Sequence, residues 1–246
     1  MKGMSGMHRQ VFIENGVAMR YDAGSTVWSF DGDLWGRCVQ DETESRALAR
    51  FEELYGPCSV MERIEGDERS FARDRVPATD AQRRWTRKIL SDQHDRAIRL
   101  LRAIPVRALD FDDPDQQIAS YATWRTPRLV FWHIADTESR YYIPRCGLPD
   151  RDRLPDLEQE LMASHAYAMQ TIDSIGAEAN LTTGHEEWTS VKLLRRLAYH
   201  ERVELDIVEA MVSAWSEVPS VSRAVVEKKT SSRSEVESTH GSTEIQ

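Results

Sequence analysis

The sequence predicts an α+β protein in two parts: a small N-terminal β-sheet-plus-helix domain, then an all-α up-down four-helix bundle. Three observations carry this. Before residue 65 the apolar residues come in short β-branched or aromatic runs separated by Gly-containing turns, the pattern of strands. From about residue 79 they recur at helical spacing through four long segments, the pattern of amphipathic helices. Between them, 65–77 is polar and charged and contains Gly66 and Pro77, so it reads as a connection. The expected boundaries are 8–65 for the sheet domain, 78–216 for the bundle and 217–246 for a Ser-, Thr-, Glu- and Lys-rich disordered tail. A chain of 246 residues has room for two such units.

Each element has a local reason. Segments 10–14, 17–21 and 26–30 read as strands, and Asn15-Gly16 between two apolar runs is a strong hairpin signal. Segment 36–40 reads as a further strand after the turn Asp31-Gly32-Asp33. Thr43 is then an N-cap with Glu44 in the first turn. Ala47, Leu48, Phe51 and Leu54 follow at helical spacing until Gly56-Pro57, and 58–64 closes the sheet. In the second part, Thr79-Asp80-Ala81-Gln82 has the form of a capping box. It opens a helix with Trp85, Ile89, Gln93, Ile98, Leu101 and Ile104 inward, ending at Pro105. Thr126-Pro127 opens a second helix, expected to stop at Pro144. A third runs over 156–175 with Leu157, Leu161, Ala168, Ile172 and Ile175 inward. The last starts at Trp188-Thr189 and reaches about Ser216.

Bulk properties exclude several function classes. The net charge of −9 with a pI near 5.4 argues against nucleic-acid binding, which needs clustered Lys and Arg. Arg83, Arg84, Arg87 and Lys88 read as the solvated face of a helix. Mean hydropathy is −0.56, and apolar runs such as 129–132 are far too short to cross a bilayer. No secretory signal is read in the first ten residues. Cys38, Cys58 and Cys146 form no CxxC pair and leave an odd count, so small apolar fillers in a reducing cytoplasm are expected.

The chemistry concentrates on the last helix. Its apolar stripe runs Leu193, Leu197, His200, Glu204, Ile207, Met211. An imidazole and a carboxylate four residues apart meet on one helix face, and burying both is costly unless something satisfies them. A divalent metal is one such partner, with His133 of the second helix as third ligand; a hydrogen-bonded core pair or ion pair is the alternative. His165 lies on the third helix's stripe and reads as a satisfied core histidine, and His94 as exposed. Tyr141, Tyr142 and Tyr199 read either as substrate-orienting groups or as aromatic packing. His200-Glu201-x-x-Glu204 has part of the zincin form, but Glu201 lies off the stripe that holds Glu204, so peptidase activity is not expected. No catalytic residue is assigned.

Two resemblances add to this reading. Trp132-His133-Ile134-Ala135-Asp136 on one helix and Tyr199-His200-Glu201-Arg202 on another resemble, over about 80–215, the DinB-like metal-binding four-helix bundles. There one His on the second helix and an H-x-x-x-H pair on the fourth hold a divalent ion. The resemblance implies His133, His200 and Glu204 as ligands, with Glu204 in place of the third His. It implies one divalent ion (Zn, Ni, Mn or Fe) and a small-molecule substrate. A low-molecular-weight thiol fits, in a thiol S-transferase, isomerase or hydrolase reaction. The stretch Trp28…Asp33-Leu34-Trp35-Gly36-Arg37-Cys38…Thr43-Glu44…Ala47-Leu48 resembles the HicB-like antitoxin domain. That implies a protein partner for the sheet, and a regulatory protein with a bundle that dimerises as the rival to an enzyme.

Overall fold

The structure is a computed structural model that describes residues 8–16, 18, 21–116, 118–178 and 180–217. It is α+β, with an N-terminal four-stranded sheet and helix followed by a mainly helical region. Strands β1 (Arg9–Asn15), β2 (Ser25–Ser29), β3 (Cys38–Asp41) and β4 (Cys58–Glu65) lie in the order β3-β2-β1-β4. β1 runs antiparallel to β2 and parallel to β4, and β2 runs antiparallel to β3. The parallel pair needs a crossover, supplied by α1 (Glu44–Tyr55), whose N-cap Thr43 accepts from the backbone N–H of Arg46. Val17, Met19 and Arg20 of the expected strand 17–21 lie outside the described residues; Ala18 and Tyr21 form an isolated bridge. β1 pairs instead with Ser25–Ser29, so Asn15-Gly16 opens a longer excursion rather than a two-residue hairpin.

Alternation along the strands divides the sheet into two buried faces. Val11, Ile13, Val27 and Val39 pack with Ala47 and Phe51 of α1. Phe12 and Trp28 point the other way and pack with Phe71 and Tyr199. Tyr199 belongs to α7 (Ser190–Glu217), so the sheet is a layer between α1 and the bundle. The turn before β3 comes so close to α7 that a Cβ on Gly36 (φ +66°) would lie 2.5 Å from the Ala198 Cβ.

The bundle comprises α2 (Asp80–Ala103), α4 (Pro127–Asp136), α6 (Leu157–Ser174) and α7; α3 (Val106–Leu109) is a single turn after α2. α2 and α4 each pack against both α6 and α7, so α2 lies diagonally across the bundle from α4, and α6 from α7. The Thr79/Gln82 capping box and the Thr126 cap form as expected. The inward face of α2 forms only in part, with Ile89, Ile98, Leu101 and Ile104 packed on the core. Gln82, Thr86, Leu90 and Ala97 are buried, while Trp85 is 37% exposed. Hydrogen bonds explain this: Thr86 Oγ1 accepts from Trp35 Nε1 at 2.8 Å and donates to the Leu194 carbonyl at 3.2 Å.

The helix opened by Pro127 also runs beyond its expected stop. After Asp136 it widens into a π-helical segment, Thr137–Tyr142, and continues as α5 (Ile143–Arg145). The N–H of Ile143 bonds to the Glu138 carbonyl, five residues back. Proline clashes with the carbonyl four residues back in an α-register; the widened register admits Pro144 to the first turn of α5. A hairpin of β5 (Asn180–Thr183) and β6 (Glu186–Thr189) occupies the start expected for the last helix, so α7 begins at Ser190. Residues 218–246, nearly all of the expected tail, lie outside the described residues.

Candidate metal centre

α4 and α7 bring the three expected ligands together. The stripe of α7 is buried at every named position from Leu193 to Met211, which turns His200 and Glu204 towards α4. His133 Nε2 lies 3.2 Å from His200 Nε2 and 3.3 Å from Glu204 Oε1. His200 Nε2 lies 3.5 Å from the same Glu204 oxygen. Tetrahedral ligands at about 2.1 Å from an ion stand roughly 3.4 Å apart, so the triangle has the dimensions of a coordination face. Among the described residues this is the one group of three or more His, Cys, Asp or Glu side chains whose ligand atoms all lie within 4.8 Å of one another.

The electrostatics of the trio fit a cation. Both Glu204 carboxylate oxygens and His200 Nδ1 are buried with no hydrogen-bond partner. A buried carboxylate whose nearest polar neighbours are two imidazoles is a costly group for a fold to hold without a counter-charge. Burial pushes the Glu204 carboxyl above its ordinary range, with His133 acting in the opposite sense. Burial holds the His200 imidazole well below its usual range, reinforced by His133 and Arg196. A neutral imidazole is the form that donates a lone pair to a metal. Side-chain exposure is 18% at His133 against 4% at His200 and none at Glu204, so the edge at His133 is the route in.

The surroundings fix the first histidine. Trp124 stacks on its ring at 3.5 Å with an interplanar angle of 9°. The Thr137 hydroxyl lies against the ring edge, 3.2 Å from Nδ1 and 3.4 Å from Nε2. Tyr142 meets His200 edge-on at 5.5 Å. Thr137 is four residues beyond His133 and was discernible from helical spacing; Trp124 lies in an irregular segment, where no periodicity points to it.

The other singled-out residues fall elsewhere. Tyr199 packs on Trp28 at 4.9 Å and accepts from Gln40, and Tyr141 donates to Glu186; of the three tyrosines, Tyr142 is the one against the trio. His94 is half-buried rather than exposed and stacks on His165 at 4.1 Å. His165 Nδ1 is buried without a partner, so this core histidine is not satisfied. Glu201 is buried but forms no part of the trio. The cysteines are free thiols, and burial pushes Cys146 up to about 12. A cavity of about 230 Å³ over Gln10, Phe12, Phe30, Asp31 and Arg73 shares no residue with the trio. Among the described residues no helix is long and apolar enough to cross a membrane. Comparison of the chain with family models, curated proteins and solved structures returns no match.

Proposed function

We propose that this chain is a divalent-metal protein of the DinB-like type, acting on a small molecule as a thiol S-transferase, isomerase or hydrolase. The observation that carries this reading is the convergence of three ligand atoms from two helices around a carboxylate with no other partner. When bound, a divalent ion held by two imidazoles and one carboxylate supplies Lewis acidity, lowering the pKa of a water or thiol at a remaining position. The chain's own groups do the rest. Thr137 and Trp124 hold the His133 ring in one orientation, and the Trp124 face limits water access beside it. Identity of the ion follows the donor set: two nitrogens suit Zn, Ni or Fe, and the carboxylate extends the range to Mn.

The test is metal analysis of chain purified without a metal-affinity tag, paired with melting curves. We expect added Zn, Ni or Mn to raise the melting temperature. His133→Ala and His200→Ala should each lose one bound equivalent and most of that shift. Ion-free protein whose melting is indifferent to all three metals overturns the proposal.

A further inference from the structure

The sheet carries a cavity that the metal centre does not use. It holds about 230 Å³ and is lined by Gln10, Phe12, Phe30, Asp31 and Arg73, none of them a member of the trio. Gln10 and Phe12 are two residues apart on β1 and so share one face of the sheet. Phe30 and Asp31 follow β2 directly, whose last residue, Ser29, pairs with Val11 between them. Phe12 meets Phe30 edge-to-face at 4.7 Å, and both rings pack on Phe71, at 5.4 and 6.2 Å. The floor is therefore aromatic.

The polar lining carries both signs of charge. Arg9 is shared between Asp31 at 3.0 Å and Asp33 at 2.7 Å, so two carboxylates face one guanidinium and the Asp31 side stays net negative. Arg73 is exposed, and neither its guanidinium nor the Gln10 amide has a hydrogen-bond or ion-pair partner among the described residues. The turn that presents Arg73 is nonetheless fixed. On one side Phe71 is fully buried, and on the other Asp74 is too. The Asp74 carboxylate accepts from the Phe71 backbone N–H at 3.2 Å and from Arg195 Nη2 at 2.8 Å. An uncommitted cation is thus held against an aromatic floor whose other side carries an anion.

We propose that this cavity binds a free α-amino acid with an apolar side chain. Arg73 pairs with the ligand carboxylate, Asp31 accepts from its ammonium group, and the Gln10 amide bonds to either end. The apolar side chain lies on Phe12 and Phe30. An apolar surface with a few placed polar groups is the common composition of a small-molecule site, and charge-assisted hydrogen bonds are its strong contacts. A ligand with one charge does not fit both ends: a simple carboxylate meets Asp31 as a like charge, and a simple amine meets Arg73. The volume lies below the roughly 300–1,000 Å³ of drug-sized pockets, which suits an amino acid and not a nucleotide.

Equilibrium dialysis of the full-length chain against labelled L-phenylalanine tests this. We expect one bound equivalent, displaced by unlabelled L-phenylalanine. Glycine, N-acetyl-L-phenylalanine and L-phenylalaninamide should each compete about tenfold less well or worse, since each lacks one of the three contacts. Arg73→Gln and Asp31→Asn should weaken binding by a similar factor. Arg73 is exposed and unpaired, so Arg73→Gln should melt with the parent, which separates loss of the site from loss of the fold. His133→Ala should bind the amino acid as the parent does. No retained label at millimolar ligand overturns the proposal, as does equal competition by the two blocked derivatives or undiminished binding by Arg73→Gln. Loss of binding in His133→Ala assigns the ligand to the metal centre and overturns the cavity site.

Discussion

Glu204 shows how one side chain separates a metal centre from a core ion pair. A carboxylate that stabilised the fold through His133 and His200 would be missed when neutralised. A carboxylate kept for an ion would be a burden in its absence, because burying a charge costs more than burying an amide. We therefore expect metal-stripped Glu204→Gln to melt at or above the parent temperature. Its metal affinity should fall by more than the roughly 10–100-fold typical of outer partners. Melting curves in chelator beside a metal titration check both, and a stripped variant melting well below the parent returns the residue to the ion-pair reading. His94 and His165 give a second prediction at this scale. Burial lowers both, His165 to about 4, with the charge of His94 adding to it and Asp95 opposing. Above the ordinary histidine range both states are neutral and the pair contributes nothing. As pH falls through about 6.5, the unfolded chain binds protons that the folded stack refuses, so stability declines until about 4. Melting of stripped protein from pH 7 to 4.5 should show that decline, and His165→Gln should make it shallower.

At the scale of the element, the π-segment after α4 is the informative departure. Where it begins, the Ala135 carbonyl accepts from two hydroxyls, Ser139 Oγ and Ser164 Oγ. Ser139→Ala/Ser164→Ala removes both hydroxyl bonds, each worth about 0.5–1.5 kcal/mol, and denaturant melts would show the loss as a lowered midpoint. Either single change leaves one donor and should cost less. Nothing in the sequence announces this turn: Pro144 reads as a helix stop because only the widened register makes room for it. Periodicity was sufficient for the expected stripes of α6 and α7, which are buried, although it gave no sign that Glu160 of α6 and Arg195 of α7 are buried with them. It caught only part of the α2 face, because Thr86 is buried through hydrogen bonds with Trp35 and the Leu194 carbonyl, and hydrophobicity has no access to a partner far along the chain. The β5–β6 hairpin did have a signal, Gly184 (φ +64°) between short polar runs flanked by Leu181 and Trp188. The metal trio was legible because two of its members share one stripe, one helical turn apart.

At the scale of the molecule, buried charge joins the sheet to the bundle. Glu14 of β1 is fully buried and accepts from Trp28 Nε1 at 2.9 Å and from Arg196 Nη2 at 2.9 and 3.0 Å. Its neighbour Arg195 pairs with Asp74 at 2.8 Å and lies over the Trp28 ring at 4.3 Å. Lys192, one turn earlier on α7, donates to the carbonyls of Asp67, Arg69 and Glu187. Such pairs add little net stability over apolar packing, but removing one partner leaves an uncompensated charge and costs about 3–5 kcal/mol. The same α7 that carries His200 and Glu204 thus presents its other face to the sheet, so the geometry of the centre depends on a strand nearly two hundred residues earlier in the chain. Glu14→Ala tests this dependence, because it touches no ligand yet strands Arg196 and the Trp28 indole together. The expected outcome is one cooperative denaturant transition in both parent and variant, the variant's midpoint lowered by an amount matching that cost, with coincident far-ultraviolet circular dichroism and tryptophan fluorescence. Metal affinity should fall with stability as α7 loosens. A variant in which the sheet is lost first while the helical signal and metal binding persist would mean that the bundle holds its centre without the sheet.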